Sequence, residues 1–216
     1  MTASNGQSEA DYLRMPEVEP GMAVGLFGGS FNPPHEGHVL IAKHAIEKLK
    51  LDQLWWMVTP GNPLKDLSEL PPLEERVRLC REIVDDARIR VTGFEAAHRL
   101  QYSADTIELV LAAHPDVHFV WVMGADSLAT FHKWVRWEKI VETIPIAVYD
   151  RPGSSQAITE SVMAKTYSDA RVDESRAGEL ARMKPPAWVY IHGPLSPLSS
   201  TELRKAAQQT GKQHKA

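Results

Sequence analysis

Short apolar runs alternate with helix-spaced patterns along most of the chain. Residues 22–27 form a compact apolar run ended by Gly28 and Gly29, which predicts a buried strand. Val39, Leu40, Ala42, Ile46 and Leu49 then recur at helical spacing within 36–49. A second strand is predicted over 54–59, closed by Pro60-Gly61. A helix follows over 73–87, with Leu73, Val77, Leu79, Ile83 and Val84 on its apolar side. Next come a short strand over 89–92, a helix over 104–113 capped by Ser103, and a near-continuous apolar strand over 117–123 stopped by Gly124. A short helix over 137–142 and a strand over 144–149 continue the alternation. Residues 158–183 are mixed and read as helical in two pieces, and a strand over 188–192 and a helix over 200–209 close the pattern. Strands alternating with helices predict βαβ units, and continuous apolar strands predict a mostly parallel sheet covered on both faces. Such sheets bind ligands beyond the carboxyl ends of their strands, so the residues just after each strand carry most of the functional information.

The ends differ from this pattern. Residues 1–20 are polar, contain Pro16 and Pro20, and are expected to form a mobile N-terminal extension. Residues 21–210 read as a single domain and 211–216 as a polar tail. Composition adds exclusions. With 43% hydrophobic and 24% charged residues among 216, disorder of the whole chain is excluded. The single cysteine, Cys80, excludes a disulfide scaffold, and its place beside Leu79 in the 73–87 helix reads as a packed thiol. No apolar run approaches the ~20 residues that span a bilayer. The N-terminal segment carries Glu9 and Asp11 and has neither a basic nor an apolar signal region. The expectation is a cytoplasmic enzyme or binding protein with no membrane partner. The net charge of −4, from 24 Lys+Arg against 28 Asp+Glu, argues against a nucleic-acid partner. It leaves room for a small polyanion at a local site. An oligomer is compatible with the apolar pattern, which does not specify one.

The first strand end carries the densest chemistry: Gly28-Gly29-Ser30-Phe31-Asn32-Pro33-Pro34-His35-Glu36-Gly37-His38. Two glycines allow close backbone approach and a turn with positive φ. Pro34 keeps the helix from starting early, so its free N–H groups point back at the loop and favour an anion. His35 and His38, three apart, lie on one side of the first turn and both reach that anion site. The spacing excludes a dinucleotide fingerprint and a Walker A loop. Two other readings stay open: a metal pair, for which only Glu36 is a nearby additional ligand, and two plain capping histidines.

At the other end stands Leu198-Ser199-Ser200-Thr201-Glu202-Leu203-Arg204. Hydroxyls at a helix start make either a second anion site or an ordinary N-cap, and Arg204 lies one turn in, within reach of a phosphate. Between the two ends, Asn62 and Lys65 follow the second strand, where they hold an acceptor phosphate or form a solvated turn. Gln101-Tyr102-Ser103-Ala104-Asp105-Thr106 opens a helix. Gly124-Ala125-Asp126-Ser127 ends the strongest strand, with Asp126 either on a ribose or adenine edge or capping the next helix. Trp134 sits in a loop and offers a face for a flat heteroaromatic ring, whereas Trp137 reads as core. Arg151, just after a strand, is open between a phosphate contact and a loop ion pair.

The first segment resembles the G-G-[ST]-F-[DN]-P-x-H-x-G-H signature of nucleotidylyltransferases, and the last resembles their [IL]-S-S-T-x-[IL]-R signature. The Y-[ST]-x-D-T, G-A-D-S and W-x-x-W-x-x-I elements at 102–106, 124–127 and 134–140 resemble bacterial nicotinate-nucleotide adenylyltransferases, over roughly residues 22–208. This resemblance implies a Rossmann-like, doubly wound α/β sheet with helices on both faces. It implies in-line attack on the α-phosphorus of ATP, with His35, His38 and Arg204 as the catalytic groups. ATP is expected on Gly28, Gly29, Ser30, Phe31, His35, His38, Gly124, Asp126, Ser199, Ser200, Thr201 and Arg204. Nicotinate mononucleotide is expected on Asn62, Lys65, Thr106 and Trp134. Mg²⁺ is expected to be carried mainly by the ATP phosphates, with no dedicated protein metal site. Four departures stand out: Ser30 replaces the commoner Thr, Asn32 the commoner Asp, Val135 a tyrosine, and the loop at Asn62 lacks the P-P-H-[KR] form. Related acceptors, nicotinamide mononucleotide or phosphopantetheine, are the alternative.

Overall fold

The computed structural model describes residues 9–61, 70–150, 160–193, 200 and 203–204. Seven strands form one sheet: β1 (Ala23–Gly29), β2 (Gln53–Val58), β3 (Ile89–Thr92), β4 (His118–Gly124), β5 (Ile146–Tyr149), β6 (Arg171–Val172) and β7 (Trp188–Ile191). Their order is β3-β2-β1-β4-β5-β7-β6, and every pairing is parallel. The order turns back between β1 and β4, and that reversal opens the crevice in which such sheets bind ligands.

The strands are apolar on both sides because each face has its own core. Along β2, Leu54, Trp56 and Val58 face one core and Trp55 and Met57 the other, as the two-residue period of a strand requires. The first core is closed by α1 (Glu36–Leu49) through Ala42, Ala45, Ile46 and Leu49, and by α2 (Leu73–Ile83) through Val77 and Cys80. The second is closed by α3 (Phe94–Ala97), α4 (Ser103–Ala113), α5 (Ala125–Leu128), α6 (Trp137–Thr143) and α7 (Val162–Thr166). The Cys80 thiol is buried, and desolvation pushes its pKa up to about 12. The thiolate required for nucleophilic or redox chemistry is thereby suppressed. Trp137 is half-buried against Phe131 and Tyr167.

Several local expectations are corrected. α2 ends at Ile83, because Val84 is already extended. Ser103 is the first residue of α4, and Tyr102 precedes it as an extended N-cap. The mixed stretch before β7 is the short α7, the two-residue β6 and a 3₁₀ segment, Glu174–Arg182, that buries Ala177, Leu180 and Ala181. Residues 12–18 are not a free extension. The Gly93 N–H donates to Tyr12 O at 2.7 Å, Thr92 Oγ1 to Arg14 O at 2.9 Å, and Gln53 Nε2 to Glu17 O at 3.2 Å. Met15 and Val18 pack on the second core. A polar segment reads as solvated in sequence, but here it supplies carbonyls to the edge of the sheet.

Candidate active site

The β1 strand runs through Gly28 and Gly29 rather than stopping before them. Neither glycine has positive φ; the left-handed residue of the loop is Phe31, at φ 45°. Gly29 is required for space. A Cβ there would lie 3.0 Å from the Phe31 ring, which folds back and packs on Phe27, Trp56 and His38. Phe31 is buried, so its ring shapes the loop and the ligand-facing part of this segment is backbone.

α1 begins at Glu36 with His35 as its extended N-cap. The His35 backbone N–H donates to His38 Nδ1 at 3.3 Å. That bond uses Nδ1 as an acceptor, so a neutral His38 carries its proton on Nε2. The two imidazoles stack, with centroids 3.7 Å apart and planes 31° apart. The C-terminal signature docks on the same loop. Ser200 Oγ donates to Pro33 O at 2.9 Å, and Arg204 Nη1 donates to Asn32 O. Motifs from opposite ends of the domain therefore form one structure beside the first core.

A cleft of about 370 Å³ opens over the same strand end on the side of the second core. Gly28, Gly29 and Ser30 form its floor, with Thr59-Pro60-Gly61 beside them. The far walls are Trp121, Lys133, Trp134 and Val135 on one side and Glu95 with residues 100–103 on another. Trp134 is half-buried, met edge-on by Trp121 at 6.2 Å and by a tilted Phe131 ring at 5.1 Å, so its ring plane is preset. Arg136, two residues on, pairs with Asp105 and Glu108 of α4 and ties this loop to the opposite wall.

Thr106 is fully buried. Its hydroxyl bonds Glu95 Oε1 at 2.6 Å, so the group that this position delivers to the cleft is the Glu95 carboxyl. Gly124 caps α5 and Asp126 lies exposed in its first turn, while Ser127 is the residue of that turn on the cleft wall. Asn62, Lys65, Arg151, Ser199 and Thr201 lie outside the described residues.

Two residues of this site escape the motif reading. Glu95 follows β3 by three positions, and the strand-end rule applied to Thr92-Gly93-Phe94-Glu95 would have singled it out. Arg76 has no such signal. Although 1% exposed, it donates to four backbone carbonyls: Pro71, Ser30, Thr59 and Pro60. It binds the loops after β1 and β2 to each other. Burial lowers its pKa, yet a guanidinium stays charged, so a fixed cation lies under the cleft floor. Arg76→Leu is expected to cost about 2–3 kcal/mol, because charge-assisted bonds are lost and buried carbonyls are stranded. In thermal melts this is a fall of roughly 4–12 °C. An unchanged Tm would show that the loops hold together without it.

Comparison with known proteins agrees with this geometry. Residues 26–206 match the family described as cytidylyltransferase-like. A Brucella abortus (strain 2308) protein named "Probable nicotinate-nucleotide adenylyltransferase" is 63% identical over 184 residues, covering 85% of this chain and 95% of that protein. A Mesorhizobium japonicum protein of the same name is 59% identical over 194 residues, covering 90% and 100%. Among solved structures, Plasmodium falciparum nicotinic acid mononucleotide adenylyltransferase complexed with NaAD superposes with a TM-score of 0.65, covering 85% of this chain and 83% of that one. At 18% identity this match speaks for the fold alone. The chain therefore belongs to the cytidylyltransferase-like family, on the branch of the nicotinate-nucleotide adenylyltransferases.

Proposed function

We propose that the protein transfers the adenylyl group of ATP to nicotinate mononucleotide, releasing pyrophosphate and forming nicotinate adenine dinucleotide, a step of NAD biosynthesis. The observation that carries this reading is the position of the cleft. It opens over the end of β1 with Trp134 on its wall, while the His35, His38 and Arg204 cluster lies across the same strand end, beside the first core. Two nucleotides laid across Gly28–Ser30 meet at their phosphates. An oxygen of the acceptor 5′-phosphate attacks the α-phosphorus, and the bond from that phosphorus to the bridging oxygen of pyrophosphate breaks. A phosphate with its second pKa near ~6 is already a nucleophile at neutral pH, so no general base is required.

The chain's part is alignment and charge stabilisation. His38 donates through Nε2 to the triphosphate, with His35 stacked behind it. Arg204, Ser199, Ser200 and Thr201 hold the same phosphates from the C-terminal side. Gly28, Gly29, Ser30 and the Phe31 backbone line their path, and Gly124 and Asp126 face the adenosine. Trp134 stacks on the pyridine ring, and Asn62 and Lys65 hold the acceptor phosphate. Among the described residues, no group of three or more His, Cys, Asp or Glu side chains is placed to hold a metal ion. Mg²⁺ carried by the ATP phosphates would neutralise charge on the leaving pyrophosphate. No described helix is long and apolar enough to cross a membrane.

Pyrophosphate release measured with ATP and each of three acceptors tests the reading. Nicotinate mononucleotide is expected to give the highest kcat/KM, nicotinamide mononucleotide a lower one, and phosphopantetheine none. Turnover with phosphopantetheine alone would reassign the acceptor.

A further inference from the structure

We propose that Glu95 is a specificity-determining residue of this reaction, whose Oε2 hydrogen-bonds the pyridine-ring substituent that distinguishes an acidic acceptor from its amide. The inference rests on the function proposed above and deepens it.

Three cleft-lining residues have a buried polar atom with no partner among the described residues: Thr59 Oγ1, Trp121 Nε1 and Glu95 Oε2. Leaving such a group unsatisfied is costly, so each of these atoms calls for a partner, supplied by a buried water or by a bound ligand. A hydroxyl rotates to donate or accept, and an indole N–H only donates. Neither changes charge in the working pH range. The carboxyl does, so it is the one of the three that makes a preference between a carboxylate and a carboxamide depend on pH. Glu95 is 5% exposed, and its Oε1 is held by Thr106 Oγ1 at 2.6 Å. That bond sets the side-chain orientation and leaves Oε2 as the carboxyl oxygen without a hydrogen-bond partner among the described residues. As the neutral acid, Glu95 donates from Oε2 to a ring carboxylate. Once ionised, it repels the carboxylate and accepts from a carboxamide N–H.

Burial raises the pKa of this carboxyl, and the Thr106 hydrogen bond partly opposes the rise, so the neutral form persists above the usual carboxylate range. The titratable and charged groups on the elements beside it are Tyr102 and Lys133 on the cleft wall, His98 and Arg99 just after α3, Asp11, Tyr12 and Arg14 on the N-terminal strap, and Asp105 on α4. Asp105 is paired with Arg136. None of them hydrogen-bonds the Glu95 carboxyl.

The experiment compares kcat/KM for nicotinate and nicotinamide mononucleotides from about pH 5 to about pH 9, in the wild type and in Glu95→Gln. Both acceptors carry the same 5′-phosphate, so titrations of that phosphate, of ATP and of the histidines cancel in the ratio. In the wild type the acid-to-amide ratio is expected to fall about tenfold as pH rises, the worth of one charge-assisted hydrogen bond. In Glu95→Gln it is expected to stay flat within about twofold, because the amide donates and accepts at every pH. Thr106→Val removes the bond that favours the ionised carboxyl and is expected to move the midpoint of the fall to higher pH. A flat wild-type ratio, the same slope in Glu95→Gln, or an unmoved midpoint in Thr106→Val overturns the assignment. A wild type that releases pyrophosphate with neither acceptor overturns the functional reading, and this inference with it.

Discussion

Replacing His38 with alanine is expected to lower kcat at least about 10²-fold, with a smaller change in KM for ATP. Loss of one preorganised donor to developing charge typically has this size. The structure explains why His38 has so specific a part. Its Nδ1 is occupied by the His35 N–H, so Nε2 is the protonated nitrogen of the neutral ring. The ring is wedged against Phe31, at 5.0 Å and nearly perpendicular, and against His35. A donor held on three sides loses little entropy when the transition state forms. His38→Gln, which keeps a donor on a more flexible stem, is expected to recover part of the loss. Single-turnover rates in excess ATP isolate the chemical step. A near-normal rate for the alanine variant would remove His38 from the mechanism.

Trp134→Ala is expected to raise KM for the pyridine nucleotide roughly tenfold or more while leaving KM for ATP nearly unchanged. Aromatic stacking contributes about 1–3 kcal/mol per ring. Trp121 and Phe131 fix the plane of the indole, so the stacking surface exists before the ligand arrives. Trp134→Phe is expected to fall between the two. Isothermal titration with each nucleotide separately provides the check, and equal losses for both would mean that the loop, rather than the ring, had been disturbed. Phe131 is fully buried, so local collapse would appear as a lower Tm.

The alternation of apolar runs and helical patterns carries the fold class, because short continuous apolar runs bounded by glycine or proline and separated by helix-spaced segments fit strands of a parallel sheet buried on both faces. Boundaries move by a few residues where a local contact wins, as at Val84 and Tyr102. The Gly28–His38 and Leu198–Arg204 motifs are equally legible, since a phosphate-binding loop draws on contiguous backbone and a helix start. The polar strap at 12–18 is misleading in sequence. Its hydrogen bonds go to Thr92, Gly93 and Gln53, and such long-range partners leave no local pattern.

The same distinction runs through the site. Residue order alone places His35, His38 and Arg204 at strand-to-helix junctions, and so predicts phosphate chemistry at a sheet edge. It does not show that Phe31 rather than a glycine adopts the left-handed turn, nor that Arg204 reaches Asn32 across the domain. It also does not show that the Thr106 hydroxyl bonds Glu95, and it passes over Arg76 and Glu95. Their roles arise from burial, and burial is a property of packing. A carboxyl and a guanidinium become chemically distinctive only when neighbouring elements remove the water around them and leave a hydroxyl, or four carbonyls, in its place.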